Sequence, residues 1–505
     1  MTATVPPSDA GPRGFAHVVH AEWTKLRTVR GWVAGILAAA LMLVLFALLA
    51  GISSDQKGSP PVPIGPGGEP VTDSFYFVHR PLTGNGSITV SVGALKSSLP
   101  DGPRSLRPGI VPWAKAGLIV KESTRQGSPY AAVMVTGSHG VRMQHGYAHD
   151  SAGLPGPVPA ASVRRLRLDR SGDTITGYAS ADGTHWTETG HVRVSGLGPT
   201  VRIGLFVASP PAVSGGGTAG SVSTAVFSDL RVAAEPAGGG WTGGQVGAGA
   251  PGFAGYPAGT AGSYAESGGR ITVTGAGDIA PAVRDSLPTG GTLRELLTGT
   301  FAALIAVIVV GVQFITTEHR TNLILVTLAA SPGRSRVLLA KALVLGTATF
   351  GAGLVGALVA GPLGERLARS HGVYIFPVTA SAELRVALGT AALLATTAVL
   401  ALSVGTALRH GAGAVATVVV AVVLPYVLMA VPFMPANVSA WLARVTPAAA
   451  FAVQQTLTPY HQVTSNYTPY NGYYPLAPWA GFAVLAGYTV VSLAVAAVLL
   501  DRRDA

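Results

Sequence analysis

The chain has no cysteine, which excludes a disulfide framework, a thiolate metal site and a cysteine nucleophile. It is also poor in charge. Only 11% of its 505 residues are Asp, Glu, Lys or Arg, where soluble domains carry about 25%. No Gly-Lys dipeptide occurs, and hence no G-x-x-x-x-G-K-[ST] motif. The chain therefore lacks the usual phosphate-cradling loop and is not expected to hydrolyse ATP itself. The long apolar runs hold almost no ionisable groups. A proton- or ion-coupled carrier needs such groups along its path, so an external energy source is the simpler account.

What is present is apolar sequence in blocks, 48% hydrophobic overall. Residues 1–31 are polar, and Trp32–Gly51 then runs apolar for about 20 residues, enough to cross a ~30 Å hydrocarbon core. A cleaved signal peptide would have an apolar core of ~7–15 residues and a small-x-small site, so the run reads as a retained anchor. Five further spans are expected at Leu296–Thr316, Ala340–Gly361, Val386–Leu408, Gly413–Met434 and Ala480–Leu500.

Basic residues in short flanks set the orientation. With the N-terminus inside, the inner segments hold Arg13, Lys25, Arg27, Arg30, Arg320, Arg334, Arg336, Lys341, Arg409, Arg502 and Arg503. The two short outer loops hold only Arg366, Arg369, Arg385 and Arg444. Both termini are thus expected in the cytoplasm, with residues 52–295 outside. The net charge of +11 then belongs mostly to the cytoplasmic membrane face, and no nucleic-acid partner is expected.

Within 52–235 the pattern changes to short strands: 87–92, 116–122, 130–136, 164–171, 174–180, 201–209 and 225–232. Gly-Asn-Gly at 84–86, Ser-Gly-Asp at 171–173 and Asp-Gly at 182–183 are turn signals. Many short strands at this spacing indicate an all-β antiparallel sandwich. The stretch 236–295 is Gly-rich and then strand-like, read either as an extra strand or as a linker.

Candidate chemistry in this outer region is weak. His139, His145 and His149 lie close in sequence, with His79, His185 and His191 elsewhere, but their spacing is not that of a metal site. Glu122, Asp169, Asp173 and Asp182 could include a carboxylate pair for glycoside cleavage, yet most sit in turns. No metal and no cofactor is expected. Tyr460, Tyr467, Tyr470, Tyr473 and Tyr474 read as interfacial anchors or as a substrate-contacting cap.

The stretch Gln313–Lys341 stands apart. Glu318, His319, Arg320, Arg334, Arg336 and Lys341 surround an apolar run, Leu323–Ala330, which a Ser331-Pro332-Gly333 turn ends. Orientation alone explains the arginines, but not Glu318 or the apolar run, which wants a partner surface or the membrane interface.

Two resemblances follow. HAEWTKLRTVRGW (20–32), TTEHRTNLILVTLAASPGRSRVLLAK (316–341), ALRHGAGAVA (407–416) and the C-terminal LLDRRDA resemble the permease of actinobacterial type 2 ABC exporters. Asn322 stands where that family commonly has a small residue. FYFVHRPLTGNGSITVSV (75–92), AGLIVKES, RLRLDRSGDTITGYASADGTHWTETG and VRIGLFVAS resemble the concanavalin A-like jelly-roll module of bacterial secreted proteins.

The first resemblance implies a six-helix α-helical transmembrane domain, with the β module inserted between helices 1 and 2. Transmembrane helices 2–6 would fill 296–505. It also implies a dimer, homodimeric or paired with a second permease, and a separate ABC ATPase subunit docked on a coupling loop, 317–339. Glu318, Arg320, Leu323, Leu325, Pro332, Arg334, Arg336 and Lys341 would carry coupling. Trp23, Lys25, Arg27 and Trp32 would anchor the N-terminal segment to membrane lipid. The second resemblance implies contact with cell-wall glycan. A membrane-anchored surface glycan sensor and a glycan-cleaving ectoenzyme are the competing functions, and six spans are more than an anchor needs.

Overall fold

The computed structural model describes residues 12–53, 55–101, 106–159, 162–214, 217–234, 240–247, 262–287, 289–321, 323, 333–431 and 434–503. The chain divides into two compact units. One comprises Met1–Gly58, Thr289–Leu457 and Tyr467–Ala505, the other Ser59–Pro288 and Thr458–Asn466.

The first unit is helical: α1 (Pro12–Thr28), α2 (Arg30–Ser53), α3 (Leu293–Leu296), α4 (Thr300–Arg320), α5 (Arg334–Ser370), α6 (Ala380–Leu408), α7 (Gly411–Met429), α8 (Ala436–Val445) and α9 (Pro478–Arg503). Among the described residues, six helices are long and apolar enough to cross a bilayer: α2, α4, α5, α6, α7 and α9. They coincide with the six expected runs, but several boundaries differ, among them the third span's end at Ser370 rather than Gly361 and the fourth's start at Ala380 rather than Val386. Thr292 and Glu295 form a capping box that starts α3, so the second span begins at Thr300 rather than Leu296. The third begins at Arg334, one residue after Gly333, rather than at Ala340. The fifth ends at Met429, short of Pro432, and contains a π-helical turn at Val419–Val423.

Small residues let these helices approach closely, since lipid offers no hydrophobic drive for helix association. A Cβ on Gly311 of α4 would meet the backbone oxygen of Ala398 and the side chain of Ala401 on α6. Gly356 and Gly364 of α5 are likewise filled by Ala40, Leu43 and Ala47 of α2. Tyr473 and Tyr474 are buried in this unit. Arg294 lies over the Tyr474 ring at 5.6 Å, and burial pushes that phenol up to about 12 although Arg294 opposes it. These two tyrosines are packing residues rather than membrane anchors.

The second unit is two antiparallel sheets around one core. One runs, in spatial order, Thr242–Val246, Phe75–Thr83, Thr200–Ala208, Lys115–Lys121, Tyr130–Thr136, Val141–His145 and His149–Ala152. The other runs Thr187–Arg193, Thr174–Ser180, Arg164–Ser171, Gly86–Val92, Val222–Ala234, Arg270–Gly275 and Ser263–Ser267, with Lys96–Pro100 and Leu106–Gly109 beside it. Val78, Leu118, Val133 and Leu205 of the first meet Ile88, Val90, Leu168 and Phe227 of the second. Alternation along the strands places these residues on the inner faces.

The first sheet is buried on its other face too, by Phe75, Phe77, Tyr130, Tyr147 and Phe206. Two lysines enter that layer with partners: Lys121 Nζ lies 2.7 Å from Asp73, and Lys115 Nζ is 2.5 Å from Asp278. The described parts of 236–295 supply strands. Thr242–Val246 pairs with Phe75–Thr83, Arg270–Gly275 with Val222–Ala234, and Ile279–Pro281 with Val71–Asp73.

Candidate coupling site

Glu22 and Lys25 lie three apart on α1 and so share one face. Only Val29 separates α1 from the first span. Glu318 falls in the last turn of α4, and Lys341 two turns into α5. The fold brings the four together. Lys341 Nζ donates to Glu22 Oε2 at 2.6 Å and to Glu318 Oε1 at 2.7 Å. Lys25 Nζ donates to Glu22 Oε1 at 2.7 Å and to Glu318 Oε1 at 3.2 Å.

The cluster has two carboxylates and two ammonium groups, so its formal charge is zero. Lys341 is fully buried, Glu22 is 1% exposed and Glu318 is 3% exposed. Lys25 closes the solvent side. Burial lowers its ammonium, but pairing with Glu22 and Glu318 outweighs that and holds it above its ordinary value. Beneath, Lys341 sits 4.7 Å over the Phe314 ring, and Phe314 meets Trp32 edge to face at 4.9 Å. Glu318 Oε2 is buried and accepts no hydrogen bond among the described residues, leaving the cluster one donor short.

The other expected residues divide. The Arg334 guanidinium donates to the backbone oxygens of Leu500 and Asp501 at 3.3 and 2.8 Å. It thereby satisfies carbonyls at the negative end of α9. Arg320, Leu323 and Arg336 are exposed. Asn322, Leu325, Pro332 and most of the run Leu323–Ala330 lie outside the described residues. Trp23 and Arg27 are exposed on α1, whereas Trp32 is buried against Phe314. Glu22 is the residue that sequence reasoning missed. Its signal was an acid three positions before Lys25 in an otherwise basic segment.

In the β unit, His145 and His149 stack at 4.6 Å, and His139 stacks on Trp113 at 4.0 Å. Among the described residues, no group of three His, Cys, Asp or Glu could hold a metal. Of the four carboxylates considered for glycoside cleavage, Asp169 pairs with Arg167 and Asp182 with His185. Glu122 follows a strand of the opposite sheet.

Six bilayer-length helices, with a neutral ion cluster joining two of them to α1, define a multi-pass membrane protein. The family model described as ABC-2 family transporter protein matches residues 144–505, more than two thirds of the chain, and the chain belongs to that family. It is thus the membrane-spanning permease subunit of an ABC transporter, a transport component that pairs with an ABC ATPase subunit. No curated protein matches.

Solved structures with partial likeness include a functionally unknown protein from Saccharomyces cerevisiae. It shows 13% identity over 32% of this chain and 75% of that one, with a TM-score of 0.23. A GH43 protein, BlXynB, from Bacillus licheniformis shows 16% identity over 30% of this chain, with a TM-score of 0.20. The chain spans 27% of that protein's length.

Proposed function

We propose that this permease works in an exporter, as a dimer with two ATPase subunits, and that residues 317–339 receive the ATPase stroke. In this reading both termini and that loop are cytoplasmic, and 52–295 is an extracellular concanavalin A-like module that docks on cell-wall glycan. Trp23, Lys25 and Arg27 hold α1 at the lipid interface.

The observation that carries the reading is the Glu22–Lys25–Glu318–Lys341 cluster. It joins α1, α4 and α5 at the two ends of the proposed loop, and Arg334 adds α9. Buried ion pairs resist separation, because parting them strands unsolvated charge. A push on the loop is therefore delivered to those helices as one body, which is what rocking a bundle requires. The exposed Arg320, Leu323 and Arg336 are the surface offered to the ATPase, and Glu318 and Lys341 act behind them.

The test uses the full chain with its ATPase subunit in lipid nanodiscs. Arg320→Ala combined with Leu323→Ala is expected to lower substrate-stimulated ATP turnover about tenfold, within the usual range of coupling energies. Co-purification would weaken, while the permease keeps its melting temperature. Unchanged turnover together with unchanged co-purification would overturn the coupling role.

A further inference from the structure

Where α4 ends and α6 turns into α7, the helical unit carries an open cavity of about 1210 Å³. Four basic side chains line it: His319, Arg320, Arg409 and His410. No Asp or Glu does. Orientation accounts for arginines near the ends of spans, but not for four such groups converging on one space.

The turn is built to present them. Arg409 and His410 are the whole connection between α6 and α7, and Arg409 takes a left-handed conformation at φ 57°. His410 Nδ1 accepts the Gly413 N–H at 3.0 Å, which assigns the ring proton to Nε2. Val312, Val415 and Val419 also line the cavity, Val415 and Val419 four apart on one face of α7, and together they are its valine wall.

We propose that this cavity binds the phosphate of an anionic phospholipid, with one acyl chain along the valine wall. A free phosphate would use the cations but not the valines, and a zwitterionic lipid would use the valines but bring its own cation. Anionic headgroups gain from each nearby Arg. The inference needs only that the chain sits in a bilayer. It does not depend on transport direction; His319 and Arg320 are shared with the proposed coupling loop, so the variants below alter Arg409, His410 and Val415 instead.

The experiment takes the purified full-length permease with its ATPase subunit in detergent. Native mass spectrometry follows binding of phosphatidylglycerol, phosphatidylcholine and inorganic phosphate. Phosphatidylglycerol should be retained over phosphatidylcholine by about tenfold, with inorganic phosphate failing to displace it. Arg409→Asn with His410→Asn removes one guanidinium and the imidazole Nε2–H donor while keeping residues that tolerate the left-handed turn and cap α7. This variant should abolish the preference. Val415→Trp fills the apolar wall, keeps every cation, and should lose phosphatidylglycerol as well. Equal retention of both lipids, retention by the double Asn variant, or displacement by inorganic phosphate would each overturn the proposal.

Discussion

Lys341 occupies a position where an ammonium is hard to keep: fully buried, on a bilayer-length helix. Glu22 and Glu318 each place an oxygen within 2.7 Å of it, the pairing that a buried ammonium requires. Lys341→Ala would leave both carboxylates facing a gap. The expected loss is about 3–5 kcal/mol, read by thermal unfolding in detergent. Removing the charges together, as Lys341→Met with Glu22→Gln and Glu318→Gln, should recover most of it, since Lys25 can still reach water. If the triple variant melts no higher than Lys341→Ala, packing rather than charge explains the site. The pairing also has an alkaline limit. Because the Lys25 ammonium is held above its ordinary 10.5, its contribution is complete below that pH and fades as pH rises through the folded value.

At the scale of elements, the sequence was most legible where one local property decides. Twenty apolar residues suffice to mark a span, and alternation marked Arg164–Ser171 and Thr174–Ser180 as strands. Short polar strands such as His149–Ala152 and Lys96–Pro100 carry no such pattern, because their pairing comes from neighbours distant in sequence. The ion cluster was half legible for the same reason. Glu318 and Lys341 stood out as charges flanking one loop, whereas Glu22 lies 319 residues from its partner Lys341.

Helix α8 was hidden by its length and by Pro435 before it. Val438, Trp441 and Val445 are exposed on it at spacings that share a face, while Ser439 and Ala443 point inward. Such a helix belongs at the lipid interface. With the other tryptophans replaced by Phe, Trp441 fluorescence in vesicles should be quenched by lipids brominated near the headgroup. Quenching only by aqueous iodide would remove α8 from the membrane surface.

At the scale of the molecule, the β unit is not one continuous stretch of chain. Thr458–Asn466 belongs to it. His461 pairs with Asp150 at 3.3 Å, Gln462 Nε2 donates to the Ala148 oxygen, and Asn466 N–H donates to Asp285 at 2.9 Å. A fragment of 59–288 with 458–466 joined by a flexible linker should melt several degrees above 59–288 alone, by differential scanning calorimetry. Burial raises the Asp150 carboxyl, but Arg142, Gln144 and His461 outweigh it and hold the group below its ordinary 3.8. Its pairing energy is therefore present above that pH and lost as pH falls through the folded value. The advantage of the joined fragment should shrink over the same window. A pH-independent difference would assign it to Gln462 and Asn466 instead.

That divided unit also imposes an order on biosynthesis. Its final segment emerges only after α7, the fifth bilayer-length helix, has been made. At ~5–20 residues per second, the roughly 170 residues between the two pieces take on the order of ten seconds or more to synthesise. For that interval Asp150 and Asp285 lack their late partners, so the nascent sandwich waits unfinished while the bundle is threaded into the membrane.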